Sequence, residues 1–421
     1  MERTSIAPDR RSFERSGRPW FYLADTAWSG VTNPADDEWE RYLDHRAEQG
    51  FTAIQINLLP QWDRSLSPLA VHPFARSSQG YDFTAPASEY FAAASNRLAA
   101  VADRGMVPAV VLLWCNYVPD TWASARRPED VIPEEALDGY LRLAVRCARD
   151  HAPVYLVSGD TDFPSPRSIA YYRTGLRIVK DLDPDGLTTL HIKGALHEIP
   201  DELLTADELD FYSFQSGHGK DHWDTAGALA RVFREKRPAR PIINSEPCYE
   251  GIGVGQSGGR FTAKQVRLAA WQAVLGGANA GVAYGAHGIW SWHRPGLGFG
   301  SAGFWGAPFA WEDALRFEGA DDYAFLRRLA LDLIPQGLEP MEADALPPSA
   351  CAGRTPDGTV LIYLPDACDL PLVDELGGLS WTRWDLESRT PLTVRIVETE
   401  GTRLLWKGCR NGDSLLVGKP S

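Results

Sequence analysis

VYLVSGD, residues 154–160, is an apolar run that ends in two small residues and an acid. Such a segment suits a strand of a parallel sheet, buried on both faces and closed by polar groups where the chain leaves the sheet. The same grammar recurs on either side. WFYLADTAW (20–28), AIQINLL (53–59) and VPAVVLLW (107–114) precede it, and TTLHIK (188–193), LDFYSFQS (209–216), PIINSE (241–246) and AGVAYGAHGIW (280–290) follow. Between these runs, residues 36–48, 87–104, 134–149, 167–181, 224–236 and 262–275 place apolar side chains at three- and four-residue steps, the signature of amphipathic helices. Eight strands alternating with helices predict an α/β fold, a (β/α)8 TIM barrel.

Beyond a last helix near 320–333 the pattern changes. LPPSACAGRTPDGTVLIYLPDACDLPLV reads as short strands joined by Pro, Asp and Gly turns. Strands are expected at Thr359–Leu364, Leu379–Trp384, Leu392–Val397 and Leu404–Lys407, forming a small C-terminal antiparallel β-sandwich domain. The division predicted is a catalytic barrel over 1–338 and a sandwich over 339–421, with the boundary inside Pro335–Pro348. The chain's 421 residues, 44% of them hydrophobic, suffice for a barrel of ~250 residues and a smaller companion.

Lys and Arg number 42 against 56 Asp and Glu, and a formal charge of -14 would repel phosphate backbones and anionic lipid. No nucleic-acid partner is expected. Met1–Pro19 is charged and lacks the apolar core of a secretory signal, and no stretch is long enough to cross a bilayer; these point to a cytoplasmic protein with no membrane partner. Cys115, Cys147, Cys248, Cys351, Cys368 and Cys409 show no CxxC pairing, which fits free thiols in a reducing compartment. The 15 Trp, 14 Tyr and 16 Phe supply flat apolar faces on which sugar rings can stack.

In a barrel of this kind the reacting groups sit where strands end and the following loops begin. Those ends are polar here: Asp25 and Trp28, Gln55 and Asn57, Trp114 and Asn116, Asp160, His191 and Lys193, Gln215 and His218, Glu246, then Tyr284, His287 and Trp290. Strand alternation would put Ser158 with Asp160, and Asn244 with Glu246, on the interior face. Asp160 and Glu246 stand out because each closes an apolar strand. Glycoside hydrolysis needs such a pair: one carboxyl protonates the departing oxygen, and the other attacks the anomeric carbon or activates water. Asp25 either positions a sugar hydroxyl or caps a turn. His218 and His287 either bind substrate or serve the structure. Trp62, Trp114 and Trp290 are candidate sugar platforms, with core packing as the alternative for each. Glu250 reads as a loop residue. GIGVGQSGG (251–259) lacks the Lys-Ser/Thr ending of a phosphate loop and reads as a mobile loop over the site.

Taken together, FYLADTAW (21–28), GFTAIQ (50–55), SGD (158–160), FQSGH (214–218), INSEPCYEG (243–251) and YGAHGIWSW (284–292) resemble the apiosidase-like glycoside hydrolases of family 140. VLIYLPDA (360–367) and WTRWDLESRTP (381–391) resemble that family's C-terminal β-sandwich, which carries a collagen-binding label. The resemblance implies Asp160 as general acid and Glu246 as nucleophile or base, and action on apiose in pectic side chains. One departure stands beside the acid: relatives commonly have Gly-Gly-Asp where this chain has Ser158-Gly159-Asp160.

The function expected is therefore an exo-acting, retaining glycosidase that releases a terminal apiose-like or other furanosyl unit from a carbohydrate substrate, with no cofactor and no metal. Two alternatives are weighed against it. A metal-dependent barrel hydrolase or isomerase would draw ligands from His191, His218 and His287, and a non-catalytic sugar-binding barrel would keep the aromatic platforms but misplace the acids.

Overall fold

The computed structural model describes residues 2–420 except 70, 78–79, 220–223, 255–258, 343–345, 347–349, 367–369, 372–375, 400–401 and 407–411. Residues 255–258 of the glycine-rich run, Cys368, Cys409 and Lys407 therefore lie outside the described residues.

Eight parallel strands form a nearly closed barrel: β1 (Tyr22–Thr26), β2 (Ala53–Asn57), β3 (Val107–Trp114), β4 (Val154–Thr161), β5 (Leu187–Ile192), β6 (Tyr212–Phe214), β7 (Ile242–Asn244) and β8 (Gly281–Tyr284). Their hydrogen-bonded order is β5-β4-β3-β2-β1-β8-β7-β6, so β1 and β8 meet as a barrel requires. The remaining seam, β5 against β6, is bridged by Ser213 Oγ donating to the Leu190 carbonyl at 2.8 Å and Thr189 Oγ1 to the Phe211 carbonyl at 2.8 Å. All residues of β3 are buried, because its inner face meets the barrel interior and its outer face meets helices. The expected strand at 209–216 narrows at both ends to Tyr212–Phe214, and that at 280–290 ends at Tyr284, beyond which the chain bends into a loop.

Each strand is followed by a helix: α1 (Asp36–Gln49), α2 (Ser88–Asp103), α3 (Glu134–Ala148), α4 (Pro166–Leu182), the single turn α5 (Asp201–Leu204), α6 (Thr225–Glu235), α7 (Ala263–Leu275) and α8 (Gly319–Leu333). Local chemistry sets their ends. The hydroxyl of Ser165 accepts from the Ser168 amide at 3.1 Å, Pro166 occupies the first helical position, and α4 starts there. None of the helices among the described residues is long and apolar enough to cross a membrane.

The charged start, which the sequence pattern left without structure, forms an antiparallel sheet of Thr4–Ile6, Phe13–Arg15 and Arg18–Trp20. Phe13 packs edge-on against Phe211, just before β6 begins, so this sheet covers the N-terminal end of the barrel and leaves the other end open. An antiparallel hairpin, Phe74–Ser77 with Gly80–Pro86, is inserted between β2 and α2.

In the C-terminal region six antiparallel strands run in the order Glu339–Met341, Cys351–Arg354, Val360–Leu364, Ser414–Pro420, Leu379–Asp385 and Thr390–Leu392. A second sheet of Leu370–Pro371, Thr402–Trp406 and Arg395–Thr399 completes the β-sandwich. It is bound to the barrel by a buried ionic knot. Arg267 of α7 donates to both oxygens of Asp413, at 2.8 and 2.7 Å, and also to Asp322 of α8; Tyr363 donates to Asp413 at 2.9 Å. Around it Trp271 stacks on Tyr363 and Phe325 meets Trp384 edge-on. Cys115, Cys147, Cys248 and Cys351 are buried free thiols.

Candidate active site

Glu246 follows β7 at the open end of the barrel and is 7% exposed. Its Oε1 accepts from Gln215 Nε2 at 2.9 Å and from His218 Nε2 at 3.0 Å, both on the loop after β6. His218 Nδ1 accepts the Tyr249 amide at 3.2 Å, so the ring proton sits on Nε2, facing the carboxylate. On the other side His191 Nε2 of β5 lies 3.3 Å from Oε2, outside hydrogen-bond alignment, while its Nδ1 meets Ser245 Oγ at 2.9 Å. Burial alone would raise the Glu246 pKa. The hydrogen bond from His218 and the nearby imidazole of His191 outweigh it and bring the group down to about 2. Glu246 is thus favoured as the anion, with Oε2 buried and without a hydrogen-bond partner.

Asp160, next to last in β4, is biased the opposite way. Burial pushes its carboxyl well above the usual range, the negative charges of Glu246 and Asp63 push further, and Lys193 opposes them. Two carboxyl groups close enough to feel each other are thereby driven to different protonation states, the arrangement that separates an acid from a base. The backbone at Asp160 is left-handed, φ 51°, and the Trp122 indole donates to the Asp160 carbonyl at 2.9 Å. Simple alternation from Ser158 accordingly does not set the direction of Asp160, nor does it carry from Asn244 to Glu246, because β7 ends at Asn244 and Ser245 turns inward to His191. The preceding Gly159 has a steric cause: a Cβ there would come within 2.3 Å of the Trp114 indole. Trp114 stacks on His191 with centroids 5.8 Å apart, and Trp28 packs against both. Trp28 Nε1 donates to Tyr249 Oη at 3.0 Å, and Tyr249 feels the charge of Glu246.

Residues 7–334 match the family described as apiosidase-like, catalytic domain. The chain belongs to this family. It is accordingly a glycosidase, and the expected family is borne out. None of the curated proteins matches in sequence. Among solved structures, a glycoside hydrolase matches with a TM-score of 0.82 at 19% identity, covering 100% of this chain and 97% of that one. A glycoside hydrolase family 5 structure from Bacteroides vulgatus matches with 0.81 at 20% identity, covering 100% and 93%. A family 5 mannosidase from Rhizomucor miehei matches with 0.51 at 13% identity, covering 78% and 98%. At these identities the likenesses establish the fold.

In this apiosidase-like enzyme Gln215, His218, Trp28 and Trp114 gather around Glu246, and several other candidates do not. Asp25 faces the helix layer, where Arg46 Nε donates to it at 2.6 Å and Tyr42 at 2.8 Å, both from α1. Tyr284, its neighbour across the β1–β8 ladder, points the same way and donates to Glu250 at 2.6 Å. Glu250 also accepts the Gly319 amide at 2.9 Å at the start of α8, so it is a structural residue. Gln55 is consumed inside the barrel by Tyr22, Thr26 and Ser245. His287 accepts from Trp290 at Nδ1 and meets the Gly306 carbonyl at Nε2; burial lowers it to about 3, a neutral ring locked in place beside Trp290. Asn116 donates to Asp130 at 3.1 Å and ties down the loop after β3. Trp62 meets Trp122 edge-on, with Arg126 over both rings.

Three residues of the site were missed as candidates. Tyr249 and Trp122 carry no strand-end signal, since both lie in loops. Asp63 follows β2 in LLPQWDR, where a polar cluster behind an apolar strand was the available hint; burial, with the charge of Glu246 adding to it, raises its carboxyl to about 7.

Proposed function

We propose that the enzyme is an exo-acting, retaining glycosidase in which Asp160 is the acid/base and Glu246 the nucleophile. The observation that carries this is the contrast in their surroundings: Glu246 accepts from Gln215 and His218 with His191 beside it, which favours the anion, while burial and the neighbouring charges of Glu246 and Asp63 favour the protonated form of Asp160.

In the first step the Asp160 proton passes to the glycosidic oxygen as that bond to the anomeric carbon breaks, and Glu246 Oε2 bonds the same carbon. In the second, the Asp160 carboxylate takes a proton from water, whose oxygen displaces Glu246. Retention is the stereochemistry of this reading, with Glu246 Oε2, which has no hydrogen-bond partner, as the attacking oxygen. Release of a single terminal sugar, apiose or another furanose, is supported by the family relationship. The catalytic unit in this reading is residues 1–338, with the sandwich of 339–421 as a structural companion.

Hydrolysis of 4-nitrophenyl apioside and arabinofuranosides by the purified chain tests the reading, with NMR of the first-formed anomer deciding stereochemistry. Turnover abolished in Glu246→Gln and clearly reduced in Asp160→Asn is the expected result. Undiminished turnover in either variant overturns the assignment, and a first product of opposite anomeric configuration overturns retention.

A further inference from the structure

A second group of polar atoms, unused by the mechanism above, lies at the end of β2 and in the loop behind it. Asn57 shares the interior face with Gln55, two residues nearer the mouth. It is 2% exposed, yet both its amide oxygen and its amide nitrogen lack a hydrogen-bond partner. Gln61 is 3% exposed with an unpaired Oε1, and Trp62 Nε1 and Asp63 Oδ1 are likewise buried and unpaired. An unsatisfied buried polar group costs about 1–3 kcal/mol, so a run of them in one short segment calls for a partner. Asp63 is near enough to the reacting pair for its charge to act on Asp160, and for that of Glu246 to act on it.

Ring hydroxyls of a sugar fit this set, because each both donates and accepts, whereas the segment offers acceptors on Asn57, Gln61 and Asp63 and donors on Asn57 and Trp62. Resting on the glycosidase reading of the same pocket, we infer that Asn57, Gln61 and Asp63 form the edge that recognises the transferred sugar, the Asp63 carboxyl bonding two adjacent hydroxyls of one ring. A neutral sugar with a free vicinal diol is the class selected. A phosphorylated, sulfated or uronic ring would bring its charge against the Glu246 anion and be disfavoured there. Near-neutral titration of Asp63 suits it to either direction of hydrogen bonding.

The test pairs an aryl glycoside that the enzyme hydrolyses with its monodeoxy analogues, each lacking one ring hydroxyl. Asp63→Asn and Gln61→Ala are expected to lower kcat/KM on the parent by ~10²-fold and ~10-fold. One deoxy analogue is expected to lose ~10²-fold with the wild type and no further with Asp63→Asn. An Asp63 role confined to the charge on Asp160 would instead shift the pH profile equally for parent and analogue, and losses that simply add overturn the inference. Binding of the parent to Glu246→Gln, measured by calorimetry, separates this inference from the glycosidase reading. Affinity lost in the Glu246→Gln/Asp63→Asn double variant supports the edge even for a chain without turnover. Affinity unchanged in the double variant overturns the edge and leaves the glycosidase reading standing.

Discussion

The barrel mouth and the barrel–sandwich junction both bury carboxyl groups, and they treat them in opposite ways. At the junction each acid is met by arginine: Asp413 by both donor arms of Arg267, Asp322 by Arg267 and by Arg389 at 2.9 Å. At the mouth Glu246 is held by amide and imidazole groups, and Asp160 sits among other acids with Lys193 as its opposing charge. A buried ion pair commits both members to each other and locks their geometry, and breaking it leaves an uncompensated buried charge. Carboxyls left among dipoles and like charges keep a protonation state that substrate can use. Asp25, a strand-end acid like Asp160, shows how little separates the two fates: Arg46 claims it, and it becomes architecture.

The comparison is broken most directly at Glu246. Glu246→Gln is expected to lower kcat/KM by at least ~10⁴-fold and, because the fold favours the Glu246 anion, to lower the thermal unfolding midpoint modestly. A loss below tenfold would place the mouth with the junction as structure. Asp160→Asn is expected to cost ~10³-fold on a substrate with a poor leaving group and about tenfold or less on a dinitrophenyl glycoside, which departs without protonation. Equal losses on the two substrates would deny Asp160 the acid's role.

At the junction the larger effect is on stability. Arg267→Ala is expected to destabilise the fold by about 3–5 kcal/mol in denaturant unfolding, with kcat of the folded enzyme within about twofold, because it strands the Asp413 charge in the interior. Unchanged stability would mean that water reaches the knot.

The smallest effect concerns pH. Activity requires Glu246 ionised and Asp160 protonated. The acidic limb therefore follows the lowered Glu246 pKa of about 2, and activity falls as pH rises through the elevated Asp160 pKa. His218→Ala removes one stabiliser of the anion, so the acidic limb of kcat/KM should move up by ~1 pH unit. A limb that stays in place would assign the control to His191 and Gln215.

Much of the barrel was legible because parallel strands buried on both faces leave continuous apolar runs, as in Val107–Trp114, and because the helices between them keep their period. Asp160 and Glu246 were legible for the same reason, each being the polar stop of such a run. Asp25 was not, although it too closes a run: alternation reveals that two faces exist but not which one meets the helices, and Arg46 lies 21 residues away on α1. Asp63 and Trp122 escaped because irregular loops carry no period, and the N-terminal sheet because its strands are only three residues long.

The amino-acid order by itself determined where strands, helices and their polar ends fall, since these depend on side chains a few residues apart. Tertiary structure alone decided which of the acids is ionised, which is protonated and which is spent on arginine. Those states depend on burial and on charges brought together from distant parts of the chain, His191 and His218 onto Glu246, and Glu246 onto Asp160, over distances that no local pattern encodes.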